Sequence, residues 1–316
     1  MQDRMQGDSK LMELAYAGVF GTLFPLFLFA ARTFSRRERG FEIAEQVANA
    51  FMALRPKYLD SVKGNLARIT GHPEGHPEVE RLAREMVRRH ACAWVDFFYF
   101  GQRDPMEAIR NFDSIEGAEH LHAAVEAGRG AILLTAHAGN FELGGLLLRS
   151  GGLEVHTVYK PDRFEAVERL RNRIRRQGGV VGIPVDGKGF STLPLLKLLR
   201  QGKLVGMQGD RDFSLNGVRI PFFGRETYFP RGPWELAAMT GAPILTSFIT
   251  LTEDQRFIAR IGRPIFIRGR RGERMNEIEA GMRRYVADLE ALIRRDPSQW
   301  YCFYPFWDDP ARSAST

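Results

Sequence analysis

The 316-residue sequence contains few cysteines and few lysines, and both scarcities restrict what the protein can be. Its two cysteines, Cys92 and Cys302, are too few for a disulfide framework and too far apart for a paired zinc-binding motif. Only seven of the 45 basic residues are lysines, and the other 38 are arginines. Because 44% of the residues are hydrophobic, the chain can bury a large core in one or two domains.

Several motifs of common enzyme classes are also missing. There is no Gly-x-Ser-x-Gly elbow, no phosphate-binding Walker loop, no dinucleotide fingerprint and no cysteine–histidine cluster with zinc spacing. These absences argue against a serine hydrolase. We therefore predict an activity that requires neither a metal nor a bound cofactor.

One uncharged apolar run, residues 14–31, is followed by the basic residues Arg32, Arg36, Arg37 and Arg39. As a helix these 18 residues would measure about 27 Å, close to the ~30 Å hydrocarbon core of a bilayer. No small-x-small cleavage site follows, so we favour a retained anchor over a signal peptide; a buried core helix is the other alternative. The arginines would contact anionic headgroups and place the rest of the chain on the cytoplasmic side.

The remaining chain divides into a helical start and an alternating centre. Residues 41–70 have helical periodicity interrupted near Pro56, and a long helix is predicted over 79–100. Short apolar runs bounded by glycine then alternate with helices at 164–177 and 191–201. The runs are 130–137, 153–160, 179–185, 204–210 and 242–251. This alternation predicts an α/β fold with a central, mostly parallel or mixed sheet covered by helices, and 256–267 adds an antiparallel strand. We assign 1–40 to an anchor and its basic flank, and 41–316 to one catalytic domain.

The chemistry-bearing segment follows the first of these apolar runs, where reactive groups collect at the strand ends of an α/β sheet. His137 lies in the strand-to-helix turn, Asn140 is a candidate N-cap of the next helix, and Glu142 lies in its first turn. We predict that Glu142 folds back onto the imidazole. A histidine held by a carboxylate can take a proton from a hydroxyl group that attacks a thioester.

Four blocks of the sequence, in their order along the chain, resemble the sequences of the lysophospholipid acyltransferase superfamily, and in particular its lipid A late acyltransferase branch. HAGNFE at 137–142 looks like its His-x4-Asp/Glu signature. The segment 206–249, with Asp210, Asp212 and the FFG at 222–224, is similar to its second block. The apolar N-terminus and the aromatic C-terminal segment QWYCFYPFW complete the resemblance, which covers nearly the whole chain.

The resemblance implies transfer of a fatty acyl chain from an acyl carrier protein, or coenzyme A, to a hydroxyl group of a glycolipid such as a lipid A precursor. It implies that His137 is the base and Glu142 its partner, at the cytoplasmic side of the inner membrane. The residues expected to contact substrate are Asn140, Arg173, Arg176, Asp210, Arg211, Asp212 and Glu226. The C-terminal aromatic residues are expected in the core rather than in lipid.

Three alternatives stay open. The acceptor could be another membrane lipid, such as a phosphatidylinositol mannoside, because the mycobacterial enzymes that acylate that lipid are also similar. The protein could instead be a membrane-tethered binder of anionic lipid without catalytic activity, or could hydrolyse the thioester. Nucleic acid is the first partner suggested by a net charge of +7, but lipid headgroups and an acidic carrier account for that charge better.

Overall fold

The computed structural model describes residues 36–161, 165–185, 192–212, 216–269 and 272–307. It confirms the predicted α/β fold with a mixed, mostly parallel sheet. The predicted anchor at 14–31 and Arg32 lie outside the described residues. Within the described ranges, no helix combines the length and apolarity needed to cross a membrane.

The described residues begin with three helices, α1 (Arg37–Leu54), α2 (Tyr58–Thr70) and α3 (Pro77–Phe100). The break between α1 and α2 falls at Pro56, as predicted. Gly71 ends α2 in the left-handed conformation (φ 76°), and His76 caps α3 by accepting a hydrogen bond from the Glu78 backbone N–H. Helix α1 begins inside the predicted basic flank, and its first residue, Arg37, is buried.

Within the described ranges, the central sheet has seven strands in the order β1-β9-β8-β2-β5-β3-β4. The strands are β1 (Phe112–Glu116), β2 (Ala131–Thr135), β3 (Val155–Tyr159), β4 (Val180–Pro184), β5 (Leu204–Gln208), β8 (Ile244–Leu251) and β9 (Phe257–Ile261). Strand β9 pairs antiparallel with β8, which confirms the predicted direction of 256–267. Strand β1, which the sequence analysis did not predict, lies parallel to β9 at the sheet edge.

Helices flank the sheet, and a two-stranded hairpin of β6 (Val218–Phe222) and β7 (Arg225–Phe229) stands apart from it. The remaining helices are α4 (Pro105–Ile109), α5 (Ala118–Glu126), α6 (Leu143–Ser150), α7 (Glu165–Gln177), α8 (Leu193–Arg200), α9 (Gly232–Thr240) and α10 (Arg274–Arg295). A 3-10 turn, Pro297–Gln299, leads into the aromatic C-terminal segment.

The C-terminal segment packs into the core, as expected from its aromatic residues. Trp300 is fully buried and Tyr301 is 4% exposed. Phe222 from the hairpin packs edge-on against Trp300, with ring centroids 5.6 Å apart. The backbone N–H of Tyr301 donates to the carbonyl of His137 over 2.8 Å. The segment therefore packs against the carboxyl end of β2, where the chemistry-bearing residues lie.

Candidate active site

The register of two neighbouring strands brings His137 and Asp210 together. Strands β2 and β5 are parallel, and Thr135 at the end of one pairs with Gln208 at the end of the other. His137 and Asp210 each come two residues after that pair, so both lie just beyond the carboxyl ends of these neighbouring strands, next to each other. Nδ1 of His137 lies 2.8 Å from Oδ1 of Asp210.

Asp210 is held by two further hydrogen bonds. Its Oδ2 accepts from the backbone N–H of His137 at 3.1 Å and from the indole N–H of Trp300 at 3.2 Å. The carboxylate is only 1% exposed. Burial by itself would raise the pKa of Asp210, but the charge and the hydrogen bonds of His137, together with the charge of Arg211, lower that pKa to about 2. Asp210 is therefore a fixed, ionised acceptor.

The imidazole of His137 is in the form a general base requires. Burial lowers the pKa of His137, Asp210 opposes that shift, and the positive charge of Arg211 adds to it; the net direction is downward. The ring is therefore neutral at neutral pH. Because a carboxylate only accepts, Nδ1 carries the proton and the lone pair is on Nε2.

Glu142 does not bind the imidazole, so the predicted His137–Glu142 pair is wrong. Its carboxylate binds two arginines of α7 instead: Arg175 Nη2 lies 2.5 Å and Arg171 Nη2 3.1 Å from Oε1. Burial would raise the pKa of Glu142, but the two guanidinium groups lower it to about 2. The physical reason is charge: Glu142 faces two buried cations, whereas His137 is already satisfied by Asp210.

The two arginines chosen from sequence lie on the wrong face of α7. Arg173 and Arg176 are exposed, whereas Arg171 and Arg175 point inward. Positions 171 and 175 share one helical face, and 173 and 176 lie well around the axis from it. Arg175 is 4% exposed, with its Nη1 buried and unpaired, and its guanidinium lies 4.8 Å over the ring of Tyr159.

Asn140 is buried rather than open to substrate, which corrects its expected role. It is 4% exposed, and its Nδ2 donates to Oδ2 of Asp96 over 2.9 Å. It is also not the helix cap, because α6 begins at Leu143 and Glu142 occupies the N-cap position without a side-chain hydrogen bond. The side-chain amide of Asn140 therefore anchors the turn to α3.

Of the remaining predicted residues, Arg211 and Asp212 line the site and Glu226 does not. Arg211 donates from Nη2 to the carbonyl of Tyr301 over 2.7 Å, and Asp212 accepts from the Gly217 backbone N–H over 2.7 Å. Glu226 is half-exposed on the β6–β7 hairpin, where it pairs with Arg219 at 3.1 Å. Its strand position directs it away from the cavity.

A cavity of about 1540 Å³ opens beside His137, larger than the roughly 300–1,000 Å³ of ordinary ligand pockets. Its walls are mainly apolar. One part lies between α1 and α3, and another runs along the sheet face beneath α6. Lining residues include Val47, Phe51, Trp94, Phe141, Leu133, Leu148, Val155, Val180, Ile249, Ala259 and Ile261. His137, Glu142, Arg171, Arg175, Arg211 and Asp212 supply polar groups on the wall. A long apolar chain can therefore lie next to a base and several cations.

The described residues hold no cluster of three or more His, Cys, Asp or Glu side chains suited to a metal ion. The sequence analysis did not place Trp300, Arg171 and Arg175 at this site, or Asp96 behind it. A signal for Asp210 was present, because equal offsets from two neighbouring strand ends imply contact. No sequence signal pairs Asp96 with Asn140, 44 residues away.

A family model described as bacterial lipid A biosynthesis acyltransferase matches residues 4–308. The chain belongs to this family. Within it, the chain is similar to a phosphatidylinositol mannoside acyltransferase of Mycolicibacterium smegmatis, 29% identical over 198 residues. That match covers 62% of this chain and 64% of the relative, which is less than two thirds of the relative's length.

The chain is also similar to two further acyltransferases. The phosphatidylinositol mannoside acyltransferase of Mycobacterium tuberculosis strain H37Rv is 29% identical over 188 residues, or 59% of each chain. A lipid A biosynthesis palmitoleoyltransferase of Escherichia coli is 26% identical over 148 residues, or 45% of each chain. The names of these relatives give two different lipid acceptors.

Proposed function

We propose that the protein transfers a fatty acyl group from a thioester donor to a hydroxyl group of a glycolipid. The observation that carries this proposal is the His137–Asp210 hydrogen bond at the edge of a large apolar cavity. Nε2 of His137 takes the hydroxyl proton as the oxygen attacks the thioester carbonyl carbon. The C–S bond then breaks, an ester remains, and the leaving thiolate takes the proton from the imidazolium. Asp210 stabilises that imidazolium.

The donor we propose is an acyl carrier protein or coenzyme A thioester, and no bound cofactor is required. Both donors carry phosphate groups, and the cavity wall beside His137 offers the guanidinium groups of Arg171, Arg175 and Arg211. The apolar part of the cavity along the sheet face would receive the acyl chain. The same cations could bind the phosphate of an anionic acceptor lipid.

For the acceptor, a phosphatidylinositol mannoside is better supported than a lipid A precursor. The similarity to the mannoside acyltransferase of M. smegmatis covers 62% of the chain, against 45% for the E. coli lipid A enzyme. Both acceptors are anionic glycolipids with free sugar hydroxyls. We further propose that the reaction takes place at the cytoplasmic face of the inner membrane, with 14–31 as the anchor.

Lipid mass spectrometry tests this proposal. Total lipids from cells with and without the gene should differ by one acyl group on one glycolipid, and a mannosylated phosphatidylinositol is the expected one. A shift on lipid A would redirect the acceptor within the family. Purified full-length protein that released free fatty acid while the acceptor was present would indicate thioester hydrolysis instead. Lipid binding without any transfer would indicate the non-catalytic alternative.

The dependence of the reaction on pH follows from the electrostatics of His137. Only the neutral ring accepts a proton, and its pKa is lowered from the usual 6.5, so kcat/KM should fall with acid through an inflection below 6.5. Since the charge of Arg211 contributes to that shift, Arg211→Gln should move the inflection upward, towards 6.5. A pH–rate profile of both proteins measures this. An inflection above 6.5 in the wild type would contradict the assignment.

The cavity also predicts a change in acyl-chain preference. Ala259 on β9 lines the cavity two strands away from β2, which positions His137. Ala259→Phe would fill that end, so long-chain donors should react more slowly while short-chain donors keep their rate. Competition between thioester donors of different length, read by mass spectrometry, measures the ratio. Met239→Phe, at an exposed position outside the cavity wall, is the control. An unchanged preference would show that the chain lies elsewhere.

A further inference from the structure

A buried polar cluster lies behind the turn that carries His137, residues 136–142, which we call the catalytic turn. The cluster takes no part in the proposed proton transfer. Asp96 on α3 is 1% exposed and binds the guanidinium of Arg37 at two points: Nε to Oδ1 at 2.6 Å and Nη2 to Oδ2 at 3.2 Å. The same Oδ2 accepts the hydrogen bond of Asn140 at 2.9 Å. Neither Asp96 nor Arg37 lines the cavity.

The turn that carries His137 depends on Asn140 for its position. The backbone N–H of Asn140 donates to the carbonyl of Ile249 on β8 over 2.8 Å. The adjacent Gly139 has φ 58°, and a Cβ at this position would lie only 1.9 Å from the Ile249 carbonyl oxygen. The backbone of the turn is therefore in direct contact with β8. The side chain of Asn140 also reaches α3, where it donates a hydrogen bond to Asp96. Asp96 therefore fixes a residue three positions from the base.

Arg37 connects the same cluster to the start of α1. Its guanidinium lies 4.7 Å over Phe41, 5.4 Å over Phe100 and 5.0 Å over Phe257, and its Nη1 donates to the carbonyl of Gln255 over 2.6 Å. Its neighbours Arg36 and Arg39 are exposed. One arginine of the basic flank thus packs into the domain, which corrects the expectation that the whole flank contacts lipid headgroups.

We propose that Asp96 and Arg37 are positioning residues for the acyl transfer proposed above: they hold the His137 turn through Asn140. Through Arg37, helix α1 is attached to that turn. A carboxylate that satisfies both a buried guanidinium and a buried amide has one geometry in which all its bonds are made. Docking of α1 therefore adds to the order of the turn that carries His137.

The first test compares Arg37→Gln with Arg39→Gln. Each substitution removes one positive charge, and the two positions are two residues apart. Arg37→Gln should lower kcat by roughly tenfold to a hundredfold, because small displacements of a catalytic group cost that much, and should leave the donor KM nearly unchanged. Hydrogen exchange should rise in residues 136–142. Arg39→Gln should change neither. Vesicle binding should weaken in Arg39→Gln, whose charge is exposed, and stay nearly unchanged in Arg37→Gln, whose charge is buried. Equal kcat values for the two variants would overturn the proposal.

A second variant separates positioning from stability. Arg37→Met combined with Asp96→Leu replaces a buried ion pair by apolar side chains, an exchange that often preserves or raises stability. It leaves the Asn140 amide without its acceptor. We expect a normal melting temperature with kcat still low; kcat restored together with stability would show that the cluster is only structural. If wild-type protein transfers no acyl group, the proposed function fails, while hydrogen exchange of the turn still tests the cluster.

Discussion

Replacing His137 with alanine is expected to reduce acyl transfer by a factor of about 10²–10⁴, the usual contribution of a general base. The acceptor hydroxyl would lose the group that takes its proton, and no other imidazole bonded to a carboxylate lines the described part of the cavity. The rate of ester formation from a radiolabelled or mass-labelled thioester measures the effect. Binding of the donor should persist, because the apolar walls are unchanged.

His72 offers the matched control for this substitution. It is exposed in the loop before α3, so His72→Ala removes an imidazole without touching the cavity. We expect full activity and an unchanged melting temperature from His72→Ala. Activity of His137→Ala equal to that of the wild type would exclude the base assignment and favour a binding protein.

Replacing Asp210 with asparagine is expected to reduce kcat by about 10³–10⁴, by analogy with the effect of that exchange in a serine-protease triad. The amide can offer an N–H to Nδ1 of His137, which favours the tautomer that has its proton on Nε2 and therefore cannot act as a base. The size of the cavity and its apolar walls should stay as they are. Steady-state kinetics at saturating donor measures kcat.

Glu142→Gln is the informative comparison, because it exchanges the other carboxylate of the site for an amide. Glu142 binds Arg171 and Arg175 and not the imidazole. Its loss should act mainly on folding, by leaving the buried guanidinium of Arg175 without this carboxylate; breaking such a buried pair costs on the order of 3–5 kcal/mol. The pH–rate inflection of the folded fraction should stay below 6.5. A larger loss of kcat in Glu142→Gln than in Asp210→Asn would reverse the roles assigned to the two carboxylates.

The fold was largely predictable because its main strands are continuous apolar runs. β2, β3, β4, β5 and β8 all fall within predicted segments, as does the antiparallel strand β9. The strand FDSIE of β1 was missed because it is polar and lies at the sheet edge, where a strand pairs with only one neighbour. The β6–β7 hairpin was missed because it packs outside the sheet.

The site was predictable in its base and less so in the partners of that base. The strand-to-turn position of His137 follows from chain order, but spacing along the chain favoured Glu142 as its partner. Asp210 is 73 residues away and becomes the partner only because β5 is the sheet neighbour of β2. Similarly, the face that α7 presents depends on its packing, which sends Arg171 and Arg175 inward and leaves Arg173 and Arg176 in solvent.

Nitrogen-15 NMR of His137 tests the central claim most directly, since it reads which ring nitrogen carries the proton. In wild-type protein at neutral pH we predict a neutral ring with its proton on Nδ1, towards Asp210. Asp210→Asn should move the proton to Nε2, and Glu142→Gln should leave it on Nδ1. A proton on Nε2 in the wild type, or a tautomer that follows Glu142 and not Asp210, would contradict the account.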